Sequence, residues 1–509
     1  MSAINSIVIV GGGSAGWMSA CYLQQIMQGV SPEVNVTLVE SPSIPTVGVG
    51  EATIPGIRQF LATIGAPEIE MLYKTNATIK AGIRFENWLH TKGESYYHPF
   101  EYPVFSDGVE VCSHWVGQAM RDRSQLSDFA HDTGVVANLC DANKVPKGFD
   151  DPEYEGPSAY AYHLDAALLG EFLRDLAVSR GVRHVVDTVD DITQDEHGNI
   201  VSLQTAEHGE IKLDFCVDCT GFAAVLIEKR LGVGYDSYAD QLLCDSAVAL
   251  PTPYVDGDEL RSYTLSAARP AGWQWGIDLA NRRGNGYVYA SAFADAQDAE
   301  KTLRETALAP DAEALHLKMR VGVRKELWHK NCLAVGLSGG FVEPLESTGL
   351  QLIDLGLRLF FEHFPSGGGN DRFLQSRYNQ LMRGIYDDVR DFVMLHYVLT
   401  QREDTPFWRT YRHEVALPDS LRERLELWRS KPPTTLDFQQ HSVFNQYNYM
   451  YVLAGMDALV PNSNQYLVRM NPGRLKNLMG EVQQTTEFAL DASVTQKDFI
   501  TRMRAPFGA

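Results

Sequence analysis

The chain has little of what marks a secreted, membrane-spanning or nucleic-acid-binding protein. It has 7 cysteines in 509 residues, an odd number that argues against a disulfide framework. It has no run of about 18 apolar residues to cross a bilayer and no basic, apolar leader before its first strand. Its 44 basic residues against 65 acidic ones give a charge of −21, which repels phosphate backbones and anionic lipid. We therefore predict a cytoplasmic protein that binds neither nucleic acid nor membranes.

The sequence does not indicate a metal site either. Cys216 and Cys219 form a CxxC pair, but a zinc site needs a second such pair or two closely spaced histidines, and neither follows. The segment around the two cysteines alternates as a strand does. We expect reduced, mostly buried thiols and no metal.

The N-terminal segment carries a dinucleotide-binding pattern. The β-branched run at 7–10 leads into Gly11, Gly13 and Gly16, a GxGxxG that opens a helix. These glycines serve a tight turn, close approach of the backbone to a pyrophosphate, and close helix–strand packing. A second alternating strand ends at Glu40, where an acid can accept a hydrogen bond from a ribose hydroxyl. The pattern predicts dinucleotide binding, the alternative being a glycine turn that binds nothing.

The order of the later segments favours FAD over NAD. A helix is predicted over residues 162–182, followed by a hairpin and by a strand that ends in a Thr-Gly turn at 220–221. A further strand then leads to a glycine turn at 339–340. This layout is typical of FAD enzymes whose nucleotide domain is interrupted by other segments, although each turn taken singly could be only a turn.

One lysine stands among small and apolar residues in NATIKAGIRFENW (76–88), a segment between a predicted strand and a predicted helix. Because an ammonium is costly to desolvate, Lys80 is either a surface lysine with a buried stem or a tuned chemical group. The segment alone does not decide between these alternatives.

Five segments together resemble the flavin-dependent halogenases of the tryptophan-halogenase type, and the resemblance covers nearly the whole chain. They are GGGSAGW (11–17), VGVGEATIP (47–55), the lysine segment (76–88), GWQWGI (272–277) and EPLESTGL (343–350). The two tryptophans in combination with the lysine segment are the most specific part, whereas the glycine motif alone fits many flavoproteins.

The resemblance implies that reduced FAD and dioxygen oxidise chloride or bromide to hypohalous acid, which travels to Lys80. There the amine captures halonium as a haloamine or the ammonium polarises the hypohalous acid, and the sequence does not choose between these roles. Glu346 matches the family's catalytic carboxylate, which the resemblance implies lies near Lys80, although on residues alone it could equally cap the helix predicted to begin near Ser347. Thr348 and Gly349 match a halide site at a helix N-terminus.

The other site residues implied by the resemblance form two groups. The FAD group contains the glycine loop, Glu40, a strap and a late turn: Gly11, Gly13, Ser14, Ala15, Gly16, Glu40, Gly48, Gly50, Glu51, Ala52, Thr53, Leu337 and Gly339. The substrate and tunnel group contains His98, Phe100, Trp273, Trp275 and Ser347. The tryptophans share one face of a strand and could equally be core residues. Asp278 stands where the family's Trp-x-Trp-x-Ile-Pro motif has proline, so we expect that strand to end differently.

The predicted fold class is α/β (α+β). An FAD-binding, Rossmann-like GxGxxG module with inserted halogenation-site segments is expected over 1–365, and a mostly helical, substrate-covering part over 366–509. The linker PSGGGND (365–371) separates them. The implied partners are a separate NAD(P)H-dependent flavin reductase and a small aromatic substrate, and a homodimer is compatible with the sequence.

The expected substrate is an electron-rich arene such as indole or an indole derivative. In the family that the chain resembles, a His-x-Phe pair lies against the substrate ring, and His98 and Phe100 match that pair. The resemblance implies that tryptophan-specific members anchor the amino acid with C-terminal tyrosines and an acid, and FNQYNYMYVLAGM (444–456) contains no acid to pair with the ammonium of free tryptophan. We therefore predict that free tryptophan is a poor substrate. The alternative function is a flavin-dependent monooxygenase or reductase on the same fold.

Overall fold

The computed structural model describes residues 4–44, 50–91, 93–106, 109–309, 311–364, 371–438, 442–460 and 471–508. The chain divides into two compact units, each built from three segments. The first unit holds Met1–Asn76, Leu164–Ala239 and Arg320–Tyr386, and the second holds Ala77–His163, Asp240–Met319 and Asp387–Ala509. This division does not coincide with the boundary predicted at 365/366. The predicted linker at 365–371 lies, except for Asp371, outside the described residues.

The strands of the described residues follow in chain order. They are β1 (Ser6–Val10), β2 (Asn35–Glu40), β3 (Gly50–Ala52), β4 (Thr78–Lys80), β5 (Gly82–Glu86), β6 (Ser95–Pro99), β7 (Phe105–Ser106), β8 (Val109–Glu110), β9 (Ala161–Asp165), β10 (Arg183–Val186), β11 (Val189–Gln194), β12 (Ile200–Thr205), β13 (Gly209–Lys212), β14 (Phe215–Asp218), β15 (Tyr235–Ser237), β16 (Ser246–Thr252), β17 (Tyr263–Arg269), β18 (Gly272–Asp278), β19 (Arg283–Tyr289), β20 (Leu315–Lys318), β21 (Gly322–Arg324), β22 (Trp328–His329), β23 (Cys332–Ala334) and β24 (Gly340–Phe341).

The α-helices of the same residues include two long C-terminal ones. They are α1 (Ser14–Val30), α2 (Gly56–Thr63), α3 (Glu68–Lys74), α4 (Val111–Arg121), α5 (Phe129–Thr133), α6 (Val136–Asp141), α7 (Ala166–Ser179), α8 (Ala296–Ala307), α9 (Gly349–Glu362), α10 (Arg372–Val398), α11 (Pro406–His413), α12 (Asp419–Trp428), α13 (Gln446–Gly455), α14 (Pro472–Ala492) and α15 (Gln496–Arg504). None of these helices combines the length and the apolar content that a bilayer crossing requires.

The first unit is built on a six-stranded sheet in the order β10-β2-β1-β14-β23-β22. The five strands from β10 to β23 run parallel, and β22 is antiparallel to its neighbour. The apolar run of β1 is buried because helices, α1 among them, cover a parallel sheet on its faces. A buried cluster that includes Val8, Val39 and Cys216 forms its core. This sheet confirms the predicted α/β class.

The second unit contains a seven-stranded sheet in the order β20-β16-β19-β18-β17-β5-β6. Only the β17–β5 pair is parallel among the pairs of this sheet. The sheet carries the tryptophan pair on β18 and the His-x-Phe segment on and just after β6. From Arg372 onward the described residues form helices and no strand, so the predicted helical character of the C-terminal part is confirmed.

Two sequence predictions of local structure are wrong. The helix predicted from residue 162 begins at Ala166, because Asp165 caps it with hydrogen bonds from the N–H groups of Ala167 (3.0 Å) and Leu168 (3.3 Å). The residues before the cap form β9 instead. The lysine segment is preceded by helix α3 and followed by strand β6, the reverse of the predicted order, and itself forms β4 and β5.

Candidate active site

The glycine loop between β1 and α1 leaves open space at the start of the helix. Gly11 has φ 112°, and a Cβ there would lie 2.2 Å from the carbonyl oxygen of Cys219. The glycine loop therefore lies directly against the turn that follows β14. Gly13, the N-cap residue, offers no side chain to α1, and no described atom lies within 4 Å of its Cβ position. The first N–H groups of α1 therefore face a space that a phosphate can fill.

Glu40 ends β2 beside this loop. Its Oε1 accepts a hydrogen bond from Nε2 of His184 at 2.6 Å, and its Oε2 lies against Gly12, where a Cβ would be 1.4 Å away. A carboxylate has about four acceptor sites, so the pairing with His184 leaves capacity for a ribose hydroxyl. His184 itself carries no motif that would have identified it from the sequence.

The Thr-Gly turn after β14 is held by a buried acid that sequence reasoning missed. The carboxylate of Asp218 accepts hydrogen bonds from Thr220 N (2.9 Å) and Oγ1 (2.6 Å) and from the N–H groups of Leu226 and Ile227 (2.8 Å each). Its carbonyl accepts from Ser338 Oγ. The available signal was an acid closing an apolar strand just before a turn. Asp218 thereby ties two of the predicted flavin turns together.

The late turn with Leu337 and Gly339 reaches the glycine loop. A Cβ on Gly336 would lie 2.7 Å from the Cβ of Ala15, next to Ser14 at the start of α1. The first unit thus brings together the glycine loop, the turn at 218–221 and the turn at 336–339. In the strap, Gly50, Glu51 and Ala52 form β3 and Thr53 is buried, whereas Gly48 lies outside the described residues.

Glu346 is fully buried in a 3-10 turn that leads directly to α9. Ser347 follows with φ 60°, a left-handed conformation that costs a non-glycine residue roughly 1–3 kcal/mol. Such strain is found most often at functional sites, where the surrounding structure holds it in place. The sharp turn thereby sets Glu346 at the N-terminal end of α9.

Thr348 and Gly349 begin α9, a 14-residue helix. Thr348 is the N-cap residue, 1 % exposed, and its Oγ1 has no hydrogen-bond partner among the described residues. The Cβ position of Gly349 lies 3.7 Å from Oε1 of Glu51. A buried, unpartnered hydroxyl at an uncapped helix N-terminus is suited to an anion, and the Glu51 carboxylate flanks that position.

Lys80 is fully buried, so it is not a surface lysine. It ends β4, which pairs antiparallel with β9 so that Lys80 lies opposite Ala161. Its Nζ lies 5.1 Å from the centroid of the Phe100 ring, within the range of a cation–π contact. Lys80 and the His-x-Phe segment therefore lie side by side in the second unit.

His98 is held by a residue that sequence reasoning missed. Asn448 Oδ1 accepts a hydrogen bond from Asn445 N–H (2.8 Å) in the capping box of α13, so Nδ2 of Asn448 is the group that donates to His98 Nε2 (2.9 Å). Nε2 is therefore an acceptor, and a neutral His98 carries its proton on Nδ1. The Asn-x-x-Asn spacing signals the start of a helix but not the contact with His98.

Aromatic rings surround His98. Its ring centroid lies 5.6 Å from that of Phe392, 6.3 Å from Tyr451 and 6.4 Å from Phe444. Phe392 and Phe444 stack at 3.9 Å. These rings come from α10, from α13 and from the residues just before α13, so the C-terminal helices supply much of the aromatic surface around the His-x-Phe pair.

Trp273 and Trp275 lie on β18 with ring centroids 6.3 Å apart and are nearly buried. Trp275 lies flat over Gly286 of β19, where a Cβ would be 2.0 Å from the indole. The Nε1 of Trp273 is buried without a hydrogen-bond partner in the described residues. Lys80, His98, Phe100 and both tryptophans belong to the second unit, and the FAD, halide and Glu346 positions to the first. The nearness of Lys80 to Glu346 stays a prediction.

Asp278 ends β18 differently from a proline. Its buried carboxylate pairs with Arg261 at 2.5 Å and Arg283 at 2.7 Å. Burial raises its pKa, but Arg261 and Arg283 outweigh burial and lower it to about 2. The exit of β18 is thus fixed by two ion pairs.

A chain of hydrogen bonds next to Lys80 fixes a neutral histidine. Thr78 donates its only hydroxyl proton to Asp278 O (2.6 Å), so it can only accept from Nδ1 of His163 (3.3 Å). Nε2 of His163 must then accept from Thr264 Oγ1 (2.8 Å). Burial first, and the charge of Lys80 second, lower the pKa of His163 to about 3.

His163 is therefore expected to make the protein less stable in mild acid. A histidine with a lowered folded-state pKa contributes most above its unfolded value of 6.5, and stability is lost as the pH falls below that value. Compared with His163→Gln, the wild type should lose about 2 kcal/mol of unfolding free energy between about pH 7.5 and about pH 5. Urea unfolding at both pH values measures this difference. His197→Gln, at an exposed histidine, is the control, and parallel pH curves for wild type and His163→Gln would contradict the assignment.

Comparison with known proteins places the chain in a family. The tryptophan halogenase family model matches residues 6–472. The tryptophan 6-halogenase of Streptomyces toxytricini is 38% identical over 98% of each sequence, and its crystal structure superimposes with a TM-score of 0.91, covering 98% of this chain and 100% of that one. A flavin-dependent halogenase from Brevundimonas sp. BAL3 is 32% identical with a TM-score of 0.88, covering 98% and 99%. The resemblance inferred from five segments is confirmed, and the chain belongs to the tryptophan halogenase family of flavin-dependent halogenases.

Proposed function

We propose that this enzyme chlorinates or brominates an electron-rich, indole-type ring with hypohalous acid held at Lys80. The observation that carries this proposal is a fully buried lysine whose Nζ lies 5.1 Å from the centroid of the Phe100 ring, beside a cluster of aromatic side chains around His98. The lysine nitrogen can bind a polar oxidant, and the aromatic rings beside it can bind an arene, so the two reactants would lie next to each other.

The residues around the start of α1 fit a dinucleotide. Gly11, Gly13, Ser14, Ala15 and Gly16 would hold the pyrophosphate of FAD, because the helix start is uncapped and open at Gly13. Glu40 would accept from the ribose, and the strap (Gly48 and 50–53) together with Leu337 and Gly339 would line the remainder. When bound in reduced form, FAD would activate dioxygen, and dioxygen supplies the oxidising equivalents that convert halide to hypohalous acid. A separate flavin reductase supplies the reduced cofactor.

Thr348 and Gly349 would hold the halide. The unpartnered hydroxyl of Thr348 and the first N–H groups of α9 are donors without a side-chain cap. The carboxylate of Glu51, 3.7 Å from the Gly349 Cβ position, opposes an anion electrostatically and so weakens its binding. A weakly held halide is suited to a site where the ion is consumed in each turnover.

Lys80 can use the hypohalous acid in two ways that differ in one proton. A neutral Nζ forms an N–halogen bond while the O–halogen bond breaks, and one Nζ proton leaves with the hydroxide as water. An ammonium instead donates a hydrogen bond to the hypohalous oxygen, polarises the O–halogen bond and gives its proton to the hydroxide that departs as water when the ring takes the halogen. In both cases the ring forms a carbon–halogen bond and then loses the proton from the same carbon. The buried carboxylate of Glu346 is proposed to stabilise the positive ring and to accept that proton.

The substrate surface favours an indole without an amino-acid side chain. Phe100 and His98 are proposed to lie against the substrate ring, and helix α13 (Gln446–Gly455) carries no acid to pair with an ammonium. A buried ammonium without a carboxylate is costly, so free tryptophan should bind poorly.

An arene panel tests this proposal. Purified protein with FAD, a flavin reductase, NADH, dioxygen and chloride or bromide is offered indole, a larger indole-bearing molecule and free tryptophan. We expect monohalogenated indole, substituted at its most electron-rich carbon, and little product from tryptophan, as measured by mass spectrometry and NMR. Efficient halogenation of tryptophan at a benzo-ring carbon would contradict the pocket assignment. Oxygenated products without halogen would instead identify a monooxygenase.

A further inference from the structure

The strand that carries Lys80 lies at the edge of its sheet. Within the described residues β4 pairs on one side only, with β9, in the register Thr78 to His163 and Lys80 to Ala161. Successive residues of a strand direct their N–H and C=O groups to opposite sides. The backbone of Ile79, between Thr78 and Lys80, therefore points away from β9 and needs other partners, because buried backbone groups are rarely left unpaired.

A single glutamine meets that need. Gln496 Oε1 accepts from Ile79 N–H at 3.3 Å, and Gln496 Nε2 donates to Ile79 O at 2.5 Å and to Arg261 O at 3.4 Å. The primary amide thus makes the two hydrogen bonds that a neighbouring strand would make with one residue. Gln496 is fully buried.

The glutamine is itself anchored. It is the first residue of α15, and its N–H donates to Asn143 O at 2.8 Å. Just before it, Val494 O accepts from Val145 N–H at 3.1 Å. The residue after Lys80 is held in the same way: Ala81 N–H donates to Ser262 O, and Ala81 O accepts from Phe100 N–H, each at 2.7 Å.

We propose that Gln496 is a positioning residue for halogenation, which acts by fixing the backbone of Ile79 and so the direction of the Lys80 side chain. This inference rests on the proposed role of Lys80. It reaches beyond the family match, which ends at residue 472. A side chain that only stabilised the fold would affect melting, whereas one that aims Lys80 affects how much hypohalous acid becomes product.

Two variants separate aiming from folding. Gln496→Met keeps the volume and removes all three side-chain hydrogen bonds, those to Ile79 N–H, Ile79 O and Arg261 O. We expect product per reduced flavin oxidised to fall about tenfold or more, since small misplacements of a reacting group are costly. KM for indole should be unchanged, because the contacts of His98 and Phe100 remain, and the unused oxidant should appear as free hypohalous acid. Gln483→Met, at an exposed glutamine of α14, is the matched control.

Gln496→Glu adds a pH readout. A protonated carboxyl can both accept from Ile79 N–H and donate to Ile79 O, whereas a carboxylate would face the carbonyl with no proton, and burial favours the protonated form. Product yield should therefore approach wild type at low pH and fall at high pH, where the wild type does not. If Gln496→Met fails to fold, this profile decides the question.

The outcomes distinguish this inference from the proposed function. Wild-type yield and an unshifted pH profile in both folded variants would overturn the role of Gln496 while Lys80 remains essential. If Lys80→Ala itself yields as much product as wild type, the proposed function fails first. A loss of yield in Gln496→Met with no rise in free hypohalous acid would also overturn positioning, because the oxidant would then not be reaching Lys80.

Discussion

The Lys80→Ala variant is expected to bind FAD and release hypohalous acid while halogenated product falls to the background level. Lys80 lies outside every segment that would hold the flavin, and its buried Nζ is the group proposed to hand the halogen to the ring. Indole consumption and product by mass spectrometry, with a chemical trap for hypohalous acid, measure the two steps separately. Colourless protein, or retained product, would count against the assignment.

Lys147 provides the matched control for a buried lysine. It is 4 % exposed, and its Nζ donates to the carbonyl oxygens of Pro152 (3.0 Å) and Glu155 (2.9 Å), so its role is to hold a loop. Lys147→Ala should lower the melting temperature and leave product per oxidised flavin unchanged. Equal losses of product in both variants would mean that removal of a buried lysine side chain, rather than the chemistry of Lys80, explains the Lys80→Ala result.

The Glu346→Gln variant is expected to fold, to bind FAD and to turn over on the order of a hundredfold more slowly. A fixed charge in a dry site stabilises a developing opposite charge efficiently, and the neutral amide neither does so nor accepts a proton. The fully buried position before α9 supports this role. Steady-state kinetics with indole give kcat and KM, and the loss should lie in kcat.

Glu362→Gln, at the other end of α9, is the control for replacing a carboxylate on the same helix. If Glu346→Gln turns over near the wild-type rate but melts at a lower temperature, Glu346 only stabilises the start of the helix. That result would restore the capping alternative that the sequence left open.

The parts that the sequence predicted are those whose causes are local. Gly16 is required by a contact within its own loop, because a Cβ there would lie 1.8 Å from the carbonyl oxygen of Gly11, so the glycine spacing predicts the tight loop between β1 and α1. The lysine segment and the tryptophan pair are recognisable as short motifs. The misplaced start of α7 had a local cause too, the Asp165 cap, but the apolar spacing continued through it and concealed the boundary.

The parts that the sequence did not predict depend on distant contacts. Gln496 lies 417 residues from Ile79, and Asn448 lies 350 residues from His98. Nothing in the spacing of either residue indicates the partner, because a hydrogen bond across that distance is fixed only by the fold. Composition does not predict that the chain divides into two units of three segments each. The segments of the two units alternate along the chain, and their pairing is set by contacts in the folded structure.

The capping box of α13 has a consequence for redesign of the substrate surface. Asn448 completes the capping box at the start of α13 and at the same time decides which nitrogen of His98 carries the proton. The hydrogen bonds at the start of α13 therefore also determine the tautomer of His98. A substitution at Asn445 that rotates the Asn448 amide would turn its oxygen toward Nε2 of His98, and that nitrogen would then have to donate instead of accept. Libraries that aim to broaden the range of arenes should hold both asparagines constant and vary the aromatic positions between and after them, Tyr447 and Tyr451.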